Sequence, residues 1–581
     1  MTKRIIFTEN IPNELGIQYS DYYFNNKLKN ATYIDLEINI SANIKLWTDE
    51  IDKWHADLCE LGSKAVGNWW ILPGTRLISW TPPYSQPLIF ALSLLIEIEN
   101  TNSNVLYISN APLEVIEYIS ELAPSIVIEF DISNHKQLYI KQSKLVDFKK
   151  IIKLILQIIL NYFRTNIPLE QSYKIGIYTQ ITSLNTLYSS DDHFFGNKLD
   201  SLDSTLWLIH SHFREKQNKL IKKYFNSKKR KHLILQETLS FIDLIKILKI
   251  NLKIKKQLSQ IKNNVPVLNI SQFKSKHFAS SFFNNLIANY SALIEIETLV
   301  STNNIFKSVS LNKVLYPFED KGLERAILDS CVDCNIFSIG YAHAVANEGH
   351  LYFKKRTNKK AYSPRPNLLA CTGPGAVIWQ NKVANQPLEK LIDLGTKRFE
   401  ILPNTNKEFP LETVNVLFLV GLTHELQRLS HWVESDPNIF KKIKLTIRKY
   451  PFGDIQEQNR YIEKIRKHHL EVIENDLSLI EQISQCDIAL FSSTSAGYEA
   501  ILAGKIGIYA ELGHIFRLSS IDKRGNCESI FQCNNGYELK STLSQICSFS
   551  KSDYFETVEK QVEFAKSVYA PSKFELLHTI S

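Results

Sequence analysis

The sequence lacks the cysteine pattern of a disulfide-bonded or zinc-binding protein. Its 581 residues include only 8 cysteines, and these are scattered except for the pair Cys331 and Cys334. No second CxxC motif or histidine pair accompanies them. We therefore interpret the two side chains as packed thiols rather than as a metal or redox centre. We therefore expect no metal ion, reduced thiols and a cytoplasmic protein.

Long apolar runs are also absent. The N-terminal sequence MTKRIIFTEN has an apolar run too short for a signal peptide. The most apolar helical candidate, residues 151–163, contains Lys153, Gln157 and Asn161 and is shorter than a membrane span. We expect a protein that is soluble or bound peripherally at the inner face of the membrane.

The excess of one charge over the other is small. Lys and Arg number 68 against 60 Asp and Glu, and much of the resulting +8 falls in residues 214–262 and 354–360. Such patches suit phosphates, nucleic acid or an anionic membrane surface, or simply form solvated helix faces. No nucleic-acid motif or aromatic interleaving accompanies them, so we expect no nucleic-acid partner.

What the chain does have is repeated alternation of short apolar strands with helices, which predicts βαβ units and parallel sheets. Its length predicts several domains. A polar, proline-containing stretch at 385–410 is interpreted as the interdomain linker. We predict an accessory α/β segment (residues 1–145), a Rossmann-like domain (146–395) and a second Rossmann-like domain (396–581). A final helix over 554–570 would pack back on the first domain.

The stretch 486–511 predicts a strand, a turn, a helix and a second strand. Ser492, Ser493 and Ser495 lie in the turn, where the first N–H groups of the helix lack intrahelical partners. The positive end of the helix dipole suits an anion there, at the carboxyl end of a strand where α/β sheets bind ligands. An ordinary helix start without a ligand explains the same pattern.

Acidic residues and a histidine follow two predicted strands of the preceding domain. Glu319 and Asp320 end the apolar run 309–317, and His343 follows the strand 336–341. These side chains are expected at one sheet edge, where a carboxylate beside a histidine can act as a general base. Glu324 belongs to this group or serves as a first-turn helix acid.

A polar loop at 188–196 follows the predicted strand 174–182 and contains Asp191, Asp192 and His193. Two carboxylates and a histidine just after a strand are a candidate site. A solvated loop with aspartate as turn former also explains them.

Taken together, the motifs FED, GYAH, TGPGA, RKYP and SSTSAGYEAILAG occur in an order that resembles a known family. They resemble the GT-B glycosyltransferases of bacterial capsule and lipopolysaccharide synthesis, over about residues 170–515. The resemblance is to those that use CMP-activated Kdo or sialic-acid-like sugars. It implies two Rossmann-like domains facing a cleft, a CMP-sugar donor, a glycan or glycolipid acceptor, and no cofactor.

The resemblance implies a role for each candidate residue. The acidic motif Glu319-Asp320-Lys321-Gly322 would supply the general base, and Ser492-Ser493 would bind the donor phosphate. The family's His-Pro motif is replaced by Tyr450-Pro451, so its role passes to one of three nearby cations. These are Arg448, Lys449 and His424. Glu499 lies where related enzymes bind the ribose.

The resulting hypothesis is a metal-independent transfer. Serine hydroxyls and a cation neutralise the departing phosphate, and the acceptor hydroxyl loses its proton to Glu319 or Asp320. His343 orients this base or contacts the phosphate. Inversion and retention both stay open, and a retaining route would use Asp192 as nucleophile. The alternatives are a nucleotide-sugar epimerase of the same fold and a non-catalytic partner in polysaccharide assembly.

Overall fold

A computed structural model shows how these segments fold. It describes residues 4–7, 31–32, 36–72, 88, 91–96, 105–108, 113–125, 127–130, 172–181, 184, 192, 194–211, 215–271, 273–288, 292–345, 353, 364–397, 414–441, 443–450, 453–469, 472–473, 477–512, 521 and 527–580. The apolar helical candidate at 151–163, the loop residues 188–191 and His193 lie outside the described residues, as does the basic segment 354–360.

The described strands are β1 (Arg4–Phe7), β2 (Ala31–Thr32), β3 (Val105–Ile108), β4 (Val127–Phe130), β5 (Ser172–Ile181), β6 (Thr205–Ser211), β7 (His232–Ile234), β8 (Leu268–Ile270), β9 (Phe273–Ser275), β10 (Ser310–Pro317), β11 (Phe337–Ala342), β12 (Leu368–Cys371), β13 (Leu391–Asp393), β14 (Val414–Leu419), β15 (Ile443–Arg448), β16 (Val472–Ile473), β17 (Ile488–Phe491), β18 (Ile506–Ala510) and β19 (Phe531–Cys533).

The described α-helices are α1 (Leu36–Ala65), α2 (Leu113–Leu122), α3 (Glu215–Ser227), α4 (Phe241–Ile261), α5 (Lys276–Phe282), α6 (Leu293–Ser308), α7 (Gly322–Asp333), α8 (Pro374–Lys382), α9 (Thr423–Ser435), α10 (Ile455–His468), α11 (Leu479–Gln485), α12 (Ala496–Leu502), α13 (Gly536–Cys547) and α14 (Lys551–Val568).

Three parallel sheets organise the described part of the chain, which confirms the predicted α/β fold. The first sheet has the order β2-β1-β3-β4, and the second has β13-β12-β11-β10-β5-β6-β7. Strand β5 of the second sheet is buried on both faces over residues 175–179, as expected where helices cover both sides of a parallel sheet. Only β8 and β9 pair antiparallel among the described strands.

In both large sheets the strand order reverses at one point. In the second sheet the chain runs outward from β5 in one direction and from β10 in the other. The third sheet has the order β16-β15-β14-β17-β18-β19, which is the 3-2-1-4-5-6 order of a Rossmann fold. Ligands of open α/β sheets bind beyond the strand carboxyl ends at such switch points. The two switch points are therefore β5/β10 and β14/β17.

The chain's end returns to the second sheet. Helix α14 packs against α8 and α12, and the Thr396 amide donates to the Ala570 carbonyl at 2.9 Å. Lys573 forms an ion pair with Asp393 at 2.5 Å. In the following 3-10 helix, Phe574 and Leu577 are buried in the core of the second sheet. These contacts join the end of the described chain to both large sheets.

Between residues 276 and 308 the helical structure is interrupted. Helix α5 ends at Phe282, a π-helical turn covers Phe283–Ala288 and α6 begins at Leu293. Asparagines in this stretch compete with the helix for backbone hydrogen bonds. The segment interpreted as a linker, 385–410, contains β13, which is the edge strand of the second sheet.

A helical layer joins the N-terminal region to the second sheet. Helix α1, which the sequence analysis did not predict, buries Trp47, Ile51, Trp54 and Leu58 at alternating spacings of four and three residues. These side chains share one core with α4, α5 and α6. Among the described residues, no helix is both long and apolar enough to cross a membrane.

Candidate active site

The β10 switch-point loop places Glu319 beside His343. One Glu319 carboxylate oxygen lies 3.3 Å from His343 Nε2, and the other contacts the Lys321 ammonium. Burial raises the pKa of Glu319, but the hydrogen bond and charge of His343 and the charge of Lys321 outweigh it and hold the pKa below its ordinary value. His343 Nδ1 is buried and has no hydrogen-bond partner among the described residues. Glu319 is therefore ionised at neutral pH.

Asp320 has a different environment from its neighbour. Its carboxylate accepts from Arg325 Nε at 2.8 Å and from the same guanidinium's second nitrogen at 2.7 Å, and both side chains are buried. Arg325 also donates to the Trp70 carbonyl at 2.8 Å, which ties the N-terminal region to this loop. Both Asp320 oxygens are thus engaged in a bidentate ion pair with Arg325.

Glu324 lies beneath this loop. Its carboxylate accepts the Glu319 amide at 2.6 Å and the Lys321 amide at 3.1 Å, which fixes the start of α7. Burial, followed by the charge of Glu319, raises the pKa of Glu324 to about 8. Two neighbouring carboxyls thus have opposite states at neutral pH, Glu319 ionised and Glu324 largely protonated.

The Asp192 side chain organises its own loop. It accepts the Thr179 hydroxyl at 2.5 Å and the Phe194 and Phe195 amides at 2.9 and 2.8 Å. The carboxyl is buried, and this burial raises its pKa. Its loop does reach the site, because the Phe194 ring packs edge-on against His343 with centroids 4.7 Å apart. Asp192 therefore supports His343 through Phe194, and its own carboxylate is buried.

The loops at this sheet edge point toward the third sheet. Val345, two residues after His343, packs against the core of the C-terminal domain. After β12, the Thr372 hydroxyl donates to the Val568 carbonyl at 2.9 Å. The Glu319–His343 pair therefore lies on the side of its domain that faces the other domain.

At the β14/β17 switch point, a glutamate that the sequence analysis missed holds the serine turn. Glu425 is fully buried; it accepts the Gly421 amide at 2.7 Å and the Ser493 amide at 3.1 Å. The Ser493 hydroxyl also donates to it. Burial raises the pKa of Glu425. Gly421 is required here, because a Cβ at this position would come within 2.4 Å of Ser493 Oγ.

The remaining serines of this turn follow the end of β17. Ser492 is buried, and Ser495 precedes the seven-residue helix α12 without capping it through its side chain. The Ser493 hydroxyl and amide already donate to the Glu425 carboxylate. The predicted anion site at this helix start therefore has one serine fewer to donate to an anion.

The predicted cations lie near the carboxyl ends of β14 and β15 in the third sheet. Arg448 ends β15, where its Nη1 donates to the Leu477 carbonyl at 3.1 Å and to the Gln482 side chain at 2.8 Å. Burial lowers the pKa of Arg448, and the nearby charge of Glu499 opposes this. The charge of Glu499 therefore acts on Arg448. Lys449 follows Arg448 on the chain, and His424 lies in the first turn of α9, beside Glu425.

The structure thus brings the predicted residues together in two groups. Glu319, His343 and the Asp192 loop meet at the β5/β10 switch point, and the serine turn meets Gly421 at β14/β17. The signal that could have identified Glu425 is its position four residues after Gly421, in the first turn of a helix that follows a strand. Among the described residues, no group of three or more His, Cys, Asp or Glu side chains could hold a metal ion.

Comparison with known proteins gives structural similarity only. No protein-family model and no curated protein matches the sequence. The chain is similar to a glycosyltransferase from Rickettsia africae ESF-5 (TM-score 0.41, 12% identity, 70% of this chain and 97% of that one). It is also similar to Acinetobacter baumannii MurG (0.38, 9%, 70% and 99%) and to the UDP-GlcNAc 2-epimerase of Neisseria meningitidis (0.39, 9%, 68% and 97%). Similarity at this level assigns the chain no family and no function.

Proposed function

We propose that the protein is a glycosyltransferase that moves a 2-keto sugar acid of the Kdo or sialic-acid type from a CMP-sugar to a glycan or glycolipid acceptor. The observation that supports this proposal is where Glu319 and the serine turn lie in the two sheets. The ionised Glu319 and the serine turn each lie at the switch point of a parallel sheet, where such folds bind ligands. The donor class rests on the sequence resemblance described above.

In the proposed reaction, Glu319 is the general base and His343 positions it. The acceptor oxygen attacks the anomeric carbon, and its proton passes to the Glu319 carboxylate. The bond from the anomeric carbon to the phosphate oxygen breaks, and its electron pair leaves on CMP. Because both Asp192 oxygens accept internal hydrogen bonds, we assign no covalent nucleophile, and the transfer is a single displacement that inverts the anomeric centre.

The donor nucleotide is proposed to bind at the β14/β17 switch point. Arg448, Lys449 and His424 supply positive charge to the departing phosphate, which is electrostatic stabilisation that needs no metal ion. Glu425 positions the Ser493 turn, and Glu499 is the proposed ribose ligand. Ser492 and Ser495 complete the phosphate site.

Nucleotide binding tests the proposal that the donor binds at the β14/β17 switch point. In thermal-shift and calorimetric titrations with CMP, UDP and GDP, we expect CMP to bind and Arg448→Gln to abolish its binding. The matched control is Lys444→Gln, an exposed cation at the other end of the same strand. Unchanged CMP affinity in Arg448→Gln would overturn the assignment. A protein that binds none of the three nucleotides would be the non-catalytic partner instead.

Sugar transfer tests the proposal that Glu319 is the general base. With CMP-Kdo or CMP-sialic acid as donor, Glu319→Gln is expected to keep CMP affinity and to lower transfer by about 10²–10⁴-fold. Near wild-type turnover in this variant contradicts its role as base. Formation of an isomeric sugar nucleotide from UDP-GlcNAc alone would show the epimerase.

A further inference from the structure

Helix α4 has one face committed to the protein core. Leu244, Ile247, Ile254 and Leu258 are buried there, and the helix packs against α1 and α6. The orientation of α4 about its own axis is therefore fixed by this packing. Its other face is exposed.

The exposed face contains large apolar side chains. Ile242 is 76% exposed and Leu252 66%, and Phe241 and Ile245 are also exposed. With 3.6 residues per turn, these four positions fall within about 100° around the helix axis. A single exposed apolar residue is ordinary on a protein surface, whereas four on one side of one helix form an apolar stripe.

Lysines lie beside and between these apolar side chains. Lys246, Lys249, Lys253 and Lys256 are all exposed on the same side of α4. The helix contains one acidic residue, Asp243, and its carboxylate accepts the Ser240 amide and hydroxyl at the helix N-terminus. The exposed face thus combines apolar side chains with positive charge and carries no exposed acid.

We infer that α4 lies flat on an anionic lipid bilayer, with Phe241, Ile242, Ile245 and Leu252 inserted among the acyl chains and the lysines at the headgroups. A polar face rich in lysine beside large apolar side chains is the pattern of an interfacial helix. Charge complementarity selects anionic lipid as the occupant, because basic segments concentrate at negatively charged membrane surfaces. A neutral protein surface would give the lysines no counter-charge.

This surface belongs to the domain that contains Glu319. Helix α4 packs against α6, and α6 packs against α7, which begins at Gly322, three residues after Glu319. Membrane binding through α4 would hold the domain with the proposed base at the lipid surface. The inference stands without the proposed function, because lipid binding is measured with no sugar substrate.

The test is co-sedimentation of the full chain with vesicles. We expect binding to vesicles of equal parts phosphatidylcholine and phosphatidylglycerol and little binding to phosphatidylcholine alone. The double variant Ile242→Gln/Leu252→Gln, and separately Lys246→Gln/Lys249→Gln/Lys253→Gln/Lys256→Gln, should each weaken binding at least about tenfold. Raising the salt to about 1 M, where the Debye length is about 3 Å, should also weaken it.

The matched control is Val332→Gln/Ile455→Gln, which removes two apolar side chains that are 68% and 64% exposed elsewhere on the molecule. It should bind vesicles like the wild type. Equal losses in the control and α4 variants would overturn the inference, as would no binding of the wild type to anionic vesicles. A wild-type dimer by light scattering that Ile242→Gln/Leu252→Gln converts to a monomer would assign the stripe to a second copy instead and would also overturn it.

Discussion

Among individual residues, His343 sets the acidity of Glu319. The two side chains are 3.3 Å apart, and the hydrogen bond and charge of the imidazole are the main influences that lower the pKa of this carboxyl against the opposing effect of burial. A general base must be ionised to accept a proton. The pair therefore lets Glu319 act as a base at pH values where an ordinary buried glutamate would be protonated.

His343→Ala is therefore expected to move the acid limb of the pH profile of kcat/KM to higher pH. Removing the opposite charge raises the pKa of Glu319, typically by about 1–3 units. The measurement is CMP release from the CMP-sugar across the acidic range, with Glu319→Gln as the comparison. An acid limb that stays at the wild-type pH would show that His343 does not act through Glu319.

The stability of the fold should depend on Glu324, because burial raises the pKa of its carboxyl to about 8. Between the ordinary glutamate pKa and this value, the folded protein binds a proton that the unfolded chain has released, so stability falls as the pH rises. Asp329, with a pKa raised to about 7, contributes in the same direction. Glu324→Gln should therefore reduce the difference in Tm between pH 5 and pH 8. An unchanged difference would contradict the raised pKa.

At the scale of elements, the switch-point turns are held by close backbone contacts. Gly421 faces Ser493 and Thr494, and a Cβ there would lie 3.0 Å from the Thr494 amide nitrogen as well as against Ser493 Oγ. Backbone cannot move aside as a flexible side chain can. The turns after β14 and β17 are thus fitted to each other.

Gly421→Ala should therefore displace the serine turn and weaken CMP binding at least about tenfold, which is a loss of about 1.4 kcal/mol. Gly67→Ala is the matched control, because a Cβ at Gly67 meets no atom within 4 Å. Calorimetric titration with CMP measures both variants. Full affinity in Gly421→Ala would show that the nucleotide does not use this turn.

An element can be predicted from the sequence when its own residues determine it, and is missed when contacts with distant residues determine it. The β17 turn was predictable because an apolar strand, a hydroxyl-rich turn and a helix follow within one short stretch. Helix α1 was missed because its tryptophans and leucines become a core only against α4 and α6, which are distant in sequence. Glu425 was missed for the same reason, because its contact with Ser493 spans 68 residues.

At the scale of the whole molecule, the last residues form part of the second sheet's core. Phe574 packs against Phe195 and Tyr341 with ring centroids 6.0 and 5.8 Å apart, and Leu577 is fully buried. The Lys313 ammonium donates to the Leu577 carbonyl at 2.9 Å. The terminal segment therefore stabilises the domain to which it returns.

Phe574→Ala/Leu577→Ala is expected to destabilise this domain by several kcal/mol, since each large-to-small change in a core costs about 2–5 kcal/mol. Thermal unfolding followed by hydrogen exchange of β5 and β11 would locate the loss. The matched control is Glu575→Ala, an exposed position in the same short helix. Equal protection of both strands in the double variant and the control would contradict a core role for the tail.

The return of the chain end also bears on biosynthesis. Ribosomes make the chain from its N-terminus, so strands β5 to β13 emerge long before Phe574 and Leu577. The core that contains Phe195 and Tyr341 is therefore incomplete until Phe574 and Leu577 have been synthesised. A nascent chain stalled before residue 574 would thus lack the side chains that cover Phe195 and Tyr341 in the folded protein.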